Sequence, residues 1–214
     1  VMGIVDEARI EEISASDTLL IAGPPMTGKY QLMLQLLASY CEQSIVISTK
    51  NQADRVREDY RQFAGEVSDE YIGVIDCVSH RETINDVEET PSTKYVSSPQ
   101  NMTGIGVKFT ELYSRFHDDL DRGQTGVGLH SISQLLMHSD IKTVYQFLQV
   151  LTGQIRSAGW MGIAVVETAV TDDENLQMLQ HHFDGIIETR ENDAGQREYR
   201  IKGLTPSASE WREF

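Results

Sequence analysis

The stretch that most constrains this chain runs from Thr18 to Ala38, TLLIAGPPMTGKYQLMLQLLA. An apolar run, Leu19-Leu20-Ile21-Ala22, enters a Gly/Pro turn, and a helical spacing of Leu and Met leaves it. The turn itself, Gly23-Pro24-Pro25-Met26-Thr27-Gly28-Lys29, has the spacing G-x-x-x-x-G-K. A loop of this kind between strand and helix aims backbone N–H groups at phosphate oxygens, and its lysine adds a point charge. The alternative is a plain glycine turn with a solvated lysine, and the full spacing in full context argues against it. The next position normally carries Ser or Thr, whose hydroxyl holds Mg²⁺. Here it is Tyr30, and a phenol does not reach a metal from that place as a short hydroxyl does.

The rest of the chain repeats the strand–helix rhythm. Short apolar runs at 18–22, 44–48, 71–78, 126–130, 162–166 and 184–188 alternate with helical patterns at 29–40, 51–63, 106–121, 140–158 and 173–181. Such alternation implies βαβ units and a largely parallel sheet with helices on both faces. The tail REYRIKGL, from Arg197, alternates like a half-exposed strand and is expected to pair antiparallel with the strand before it. Residues 79–98 are polar, contain Pro91, and read as a long loop or a mobile insertion. The following SSPQNMTGIG is turn-rich, and Thr103-Gly104-Ile105-Gly106 reads as a turn or a second close backbone approach to a ligand. Val144, Phe147, Leu148 and Leu151 share one helix face and are core candidates.

Composition narrows the function classes. The chain has 214 residues, enough for one sizeable domain over 1–214. Its 33 acids against 18 bases leave a net charge of −15, without the basic stripe of a nucleic-acid binder. Direct nucleic-acid binding is therefore not expected. No apolar run approaches the roughly 20 residues of a membrane span, and the opening VMGIVDEARIEEIS carries acids where a secretory signal carries bases. Cys41 and Cys77 are too few for a disulfide framework, so a reducing cytoplasm is expected. The acidity fits either an ordinary cytosolic protein or one adapted to a salty cytoplasm, where screening removes self-repulsion.

With these elements placed, nearly the whole chain resembles the RecA-superfamily ATPases of the KaiC-like group. The motifs that carry the likeness are IAGPPMTGK, IVISTKN, GVGLHSISQLLMHSD and DGIIETRENDAGQREYRIKGLTPSASEW. The short acidic members found in salt-loving archaea look most similar, which favours salt adaptation. The resemblance implies a three-layer RecA-like α/β fold with a C-terminal antiparallel hairpin. It also implies ATP or ADP held by Gly23, Pro24, Pro25, Met26, Thr27, Gly28, Lys29 and Tyr30. In that family the second strand ends in acidic residues, one of them the catalytic base. The fourth ends in Asp-Ser, its Asp holding Mg²⁺ through water, and a basic pair on the last strands reaches a neighbouring subunit's nucleotide.

This chain departs from that pattern at several of those positions. Lys50 and Asn51 stand where the base belongs, and neither accepts a proton from water at neutral pH. His130, followed by Ser131, stands where the metal-holding Asp belongs; it reads equally as a hydrogen-bonded packing residue. No histidine metal site is expected, since His181-His182 lie on a different element. Ser131 and Ser133 either replace a ligand in part or form a strand-to-loop turn. Arg200 and Lys202 match the basic pair and read equally as a solvated strand face. Three functions follow. The first is a nucleotide-binding domain with little or no hydrolysis and doubtful Mg²⁺ use, regulating or scaffolding a second copy or a related RecA-like protein. The second is an active Mg²⁺-dependent ATPase using Asp76 or Glu167 as substitute carboxylates. The third is a protein-interaction module whose loop is vestigial.

Overall fold

The computed structural model describes residues 10–79, 88–119 and 123–214. In chain order the elements are β1 (Thr18–Gly23), α1 (Lys29–Tyr40), β2 (Gln43–Ser48), α2 (Ala53–Ala64), β3 (Ile72–Asp76), β4 (Thr93–Tyr95) and α3 (Met102–Ser114). They continue as β5 (Thr125–His130), α4 (Ile132–Leu136), α5 (Ile141–Ser157), β6 (Met161–Glu167), α6 (Asp173–Gln180), β7 (Gly185–Glu191), β8 (Arg197–Lys202) and β9 (Arg212–Glu213). The strands form one sheet in the order β4-β3-β2-β5-β6-β1-β7-β8-β9. Pairing is parallel from β4 through β7 and antiparallel for the last two strands.

Both faces of the sheet are covered, which is why its strands read as near-continuous apolar runs. Leu19, Ile21, Val46, Ile163 and Ile187 pack beneath α1 and α2 on one face. Leu20, Ile45, Val127, Leu129 and Val166 pack beneath α3, α4, α5 and α6 on the other. In α1, Leu32, Met33, Leu36 and Leu37 are fully buried, each worth about 1.5–3 kcal/mol of hydrophobic stabilisation. Leaving β1 between β6 and β7 places its C-terminal loop at the sheet's carboxyl edge, where α/β folds bind ligands.

Several local readings change. Residues 79–98 are not simply a loop: β4 pairs parallel with β3, Val74 opposite Thr93, while residues 80–87 lie outside the described residues. The buried Arg57 of α2 explains this strand. Its guanidinium donates to Ile72 O, Ser92 O and Thr93 Oγ1 at 3.3, 3.2 and 2.7 Å. Thr103-Gly104-Ile105-Gly106 is not a turn; it lies in the first turns of α3. Asn101 caps that helix, accepting from Gly104 N at 2.9 Å, and Ile105, Phe109 and Leu112 bury one stripe. That burial outweighs a glycine penalty of roughly 1 kcal/mol per residue. The helix passes into a π-turn at Arg115–Asp119, and residues 120–122 lie outside the described residues. The short α4 was not foreseen. Among the described residues no helix is long and apolar enough to cross a membrane.

Candidate functional site

The 23–29 loop is shaped by close approaches. At Gly23, an added Cβ would stand 2.2 Å from Thr189 Oγ1 and 2.5 Å from Thr189 O. Gly28 turns into α1 in the left-handed region, φ 77°. A Cβ there would stand 3.0 Å from Arg197 and 3.1 Å from Phe214. Met26 is also left-handed, φ 66°, and 86% exposed at the loop's tip, a conformation unfavourable for a non-glycine residue. Thr27 Oγ1 donates to Pro24 O at 2.9 Å and meets Thr189 Oγ1 at 2.7 Å, fastening the loop to β7.

Lys29 is buried, 5% exposed, and its ammonium donates to the loop's own Pro24 carbonyl, with Thr27 Oγ1 at 3.4 Å. Burial lowers its pKa to about 8, against a favourable field from Glu167, and Lys50 lowers it further. The N-terminus of α1 has no side-chain cap and no acidic residue in its first turn. The other described helices of eight residues or more are treated differently. Asp76 Oδ2 accepts from Ala53 N at the start of α2 at 2.9 Å, and Asn101, Asp140 and Asp172 cap α3, α5 and α6.

Tyr30, Lys50 and His130 converge beside this loop. The Tyr30 ring stacks on His130 with centroids 4.2 Å apart and planes 24° apart. Burial holds the Tyr30 hydroxyl far above the ordinary phenol range, with Asn51 and Asp59 beside it. Burial first, then Lys50, keeps His130 neutral, its pKa lowered to about 3. Its Nδ1 has no hydrogen-bond partner among the described residues, nor does the buried Ser131 Oγ. The peptide between His130 and Ser131 is cis. Thr49 Oγ1 donates to His130 O at 2.5 Å and accepts from Ser131 N at 2.6 Å, fixing the ends of β2 and β5 together. Lys50 Nζ meets Glu167 Oε1 at 2.7 Å. That bond, ahead of the fields of Lys50 and Lys29, holds the Glu167 carboxyl below its ordinary value against the effect of burial. Glu167 N donates to Ser133 Oγ at 2.7 Å.

The two carboxylate candidates part company. Glu167 ends β6 directly opposite Gly23 in the register with β1. Asp76 ends β3, with β2, β5 and β6 between it and β1. Its oxygens accept from Ala53 N, Val78 N, Ser79 N and Ser79 Oγ at 2.6–2.9 Å, so it serves the start of α2 and the turn after β3. Asn51 N donates to Ser48 Oγ, closing the turn that presents Lys50. Arg200 and Lys202 both pair within the chain, meeting Glu188 at 2.5 and 2.7 Å. Burial raises the Glu188 carboxyl, but the bonds from Lys202 and Arg200 pull it below its ordinary range. Residues not singled out from sequence also shape the site. Thr189 and Arg197 come from β7 and β8 and Trp211 immediately precedes β9; of the three, only Trp211, one of two tryptophans, carries a signal in its residue type.

The fold is RecA-like: a mostly parallel sheet between two helical layers, a glycine-lysine loop after a central strand, and a C-terminal antiparallel hairpin. The chain belongs to the family described as "Family of unknown function (DUF7504)", which matches residues 16–189. A search of curated proteins finds no match. Among solved structures it is similar to uncharacterized protein PH0321 from Pyrococcus horikoshii, solved in complex with an unknown peptide. That similarity has a TM-score of 0.65 at 11% identity and covers 94% of both chains. It is also similar to the KaiC-like protein PH0186 from hyperthermophilic archaeon Pyrococcus horikoshii OT3. Here the TM-score is 0.61 at 13% identity, covering 94% of this chain and 85% of the other.

Proposed function

We propose that the chain binds an ATP- or ADP-type nucleotide through Gly23 to Tyr30 and hydrolyses it slowly or not at all. Nucleotide occupancy would then set conformation or assembly, in a regulatory or scaffolding role with a second copy or a related RecA-like protein. The observation that carries this reading is the α1 N-terminus, left without a side-chain cap and with the Lys29 ammonium turned onto Pro24 O. A phosphate replacing that carbonyl would gain a charge-assisted bond, unpaired N–H groups and the positive end of the helix dipole.

Mg²⁺ fits this arrangement poorly. Tyr30 presents a ring to His130 in place of a short hydroxyl, His130 is held neutral by burial, and the neighbouring Glu167 is engaged by Lys50. Lys50, and Lys29 once it is protonated, instead supply positive charge beside the loop, in the role a cation would otherwise fill. Efficient phosphoryl transfer rests on metal, positioning and charge stabilisation together, so binding without turnover follows. Arg200 and Lys202 would act on a neighbour's nucleotide only by exchanging Glu188 for phosphate. The register of Glu167 with Gly23 favours one second reading, an ATPase in which Glu167 leaves Lys50 to take part in hydrolysis.

The test is titration calorimetry with ATP and ADP in high salt, with and without Mg²⁺, followed by phosphate release. The proposal expects binding that is lost in Lys29→Ala, indifferent to Mg²⁺ and without steady turnover. Equal affinity in Lys29→Ala would remove the loop as the site. Turnover abolished by chelator and by Glu167→Gln would establish the ATPase instead.

A further inference from the structure

On the α6 side of the sheet, directly beside the loop, lies a cavity of about 190 Å³. Its lining includes Gly23, Pro24, Leu176, Gln180, Ile186 and Trp211. The Trp211 ring is held by two guanidinium groups, Arg190 at 4.0 Å and Arg200 at 4.6 Å from its centroid, and is thereby fixed as a rigid aromatic wall. Arg200 is itself anchored by Glu188, a further lining residue. Pro24 belongs both to this cavity and to the Lys29 site, because its carbonyl receives the Lys29 ammonium. The cavity and the Lys29 site are therefore adjacent, with Pro24 common to both.

The chemistry of the cavity selects the group. It is smaller than the roughly 300–1,000 Å³ of pockets that enclose whole ligands, so it takes one ring system, not a complete nucleotide. Leu176 and Ile186 offer apolar contact, Trp211 an aromatic wall, and the Gln180 amide both a donor and an acceptor for a polar ring edge. A planar ring with a hydrogen-bonding edge, joined to phosphates, is a nucleobase. We propose that this cavity receives the base of the nucleotide, with the Trp211 ring as its aromatic wall and Gln180 at its polar edge. The inference rests on the nucleotide reading of the loop and assigns the base to this chain's own α6 and Trp211.

The experiment compares ATP with inorganic tripolyphosphate by titration calorimetry in high salt without metal. ATP is expected to bind about tenfold or more tightly than tripolyphosphate, the size of one base–aromatic stack. Trp211→Ala should bring ATP to within about twofold of tripolyphosphate. Leu176→Phe fills the cavity from α6 while keeping Trp211, Arg190 and Arg200 in the chain and should act likewise, so the result does not hang on one variant folding. Equal affinities in the unmodified protein, or an ATP advantage that survives in both variants, would overturn the base subsite and leave the phosphate reading standing. Failure of both ligands to bind would overturn the two together.

Discussion

Lys29, buried in its loop, should take up a proton when an anion binds beside it. Burial lowers Lys29 from 10.5 to about 8, so at pH 8 the amine is about half protonated before an anion binds. A bound phosphate replaces the Pro24 carbonyl with a full negative charge and restores the ordinary value. The direction follows: below pH 7 the amine is already charged, and between 8 and 10.5 binding must recruit a proton. Uptake should be about 0.1 at pH 7, about 0.5 at pH 8 and about 0.9 at pH 9. Only the charged form is binding-competent, so apparent affinity should weaken about tenfold between pH 7 and pH 9. The assay is calorimetry with ADP in two buffers of different ionisation enthalpy, Tris and HEPES, at each pH. The slope of observed enthalpy against buffer enthalpy reads the protons directly. A zero slope at pH 8 together with a flat affinity profile would refute the idea that a desolvated Lys29 receives the phosphate.

Three further outcomes are expected. Gly23→Ala should lose about 1–3 kcal/mol in urea unfolding, because one obstacle is the Thr189 backbone oxygen at 2.5 Å, which cannot rotate away; an unchanged midpoint would mean that the loop shifts freely. Arg57→Ala leaves Ile72 O, Ser92 O and Thr93 Oγ1 without their donor. It should lose about 1–3 kcal/mol, with faster hydrogen exchange at Val74 N and Val96 N, which bond across β3 and β4; exchange rates like those of the unmodified protein would count against this anchoring. Tyr30→Thr, Lys50→Glu and His130→Asp together should make ADP affinity depend on Mg²⁺, while each alone should change it little, and calorimetry with and without chelator reads the difference.

The parts of this protein legible in its sequence are those whose causes are local. Leu19 to Ala22 must be a buried strand because every position is apolar, and Lys29 to Tyr40 must be a helix because its leucines recur at helical spacing. The loop between them follows from two glycines at a fixed separation. From the same periodicities came the parallel sheet, the helices on both faces and the final antiparallel hairpin. Partner choice is different, because it depends on strand order and register. Lys50 and Glu167 stand 117 residues apart and meet only because β2 and β6 flank β5 at the carboxyl edge. Asp76 has the right residue type at a strand end, but its place on β3 commits it to the start of α2. Arg200 and Lys202 look free in a list of residues, yet antiparallel pairing sets Glu188 opposite Arg200. Arg57 draws residues of an apparent loop into the sheet as β4, and the burial of Ile105, Phe109 and Leu112 makes a helix of a glycine-rich turn. In each case long-range packing decided among partners that local chemistry left equivalent, because a charge, donor or apolar face takes whichever partner the closed fold places against it.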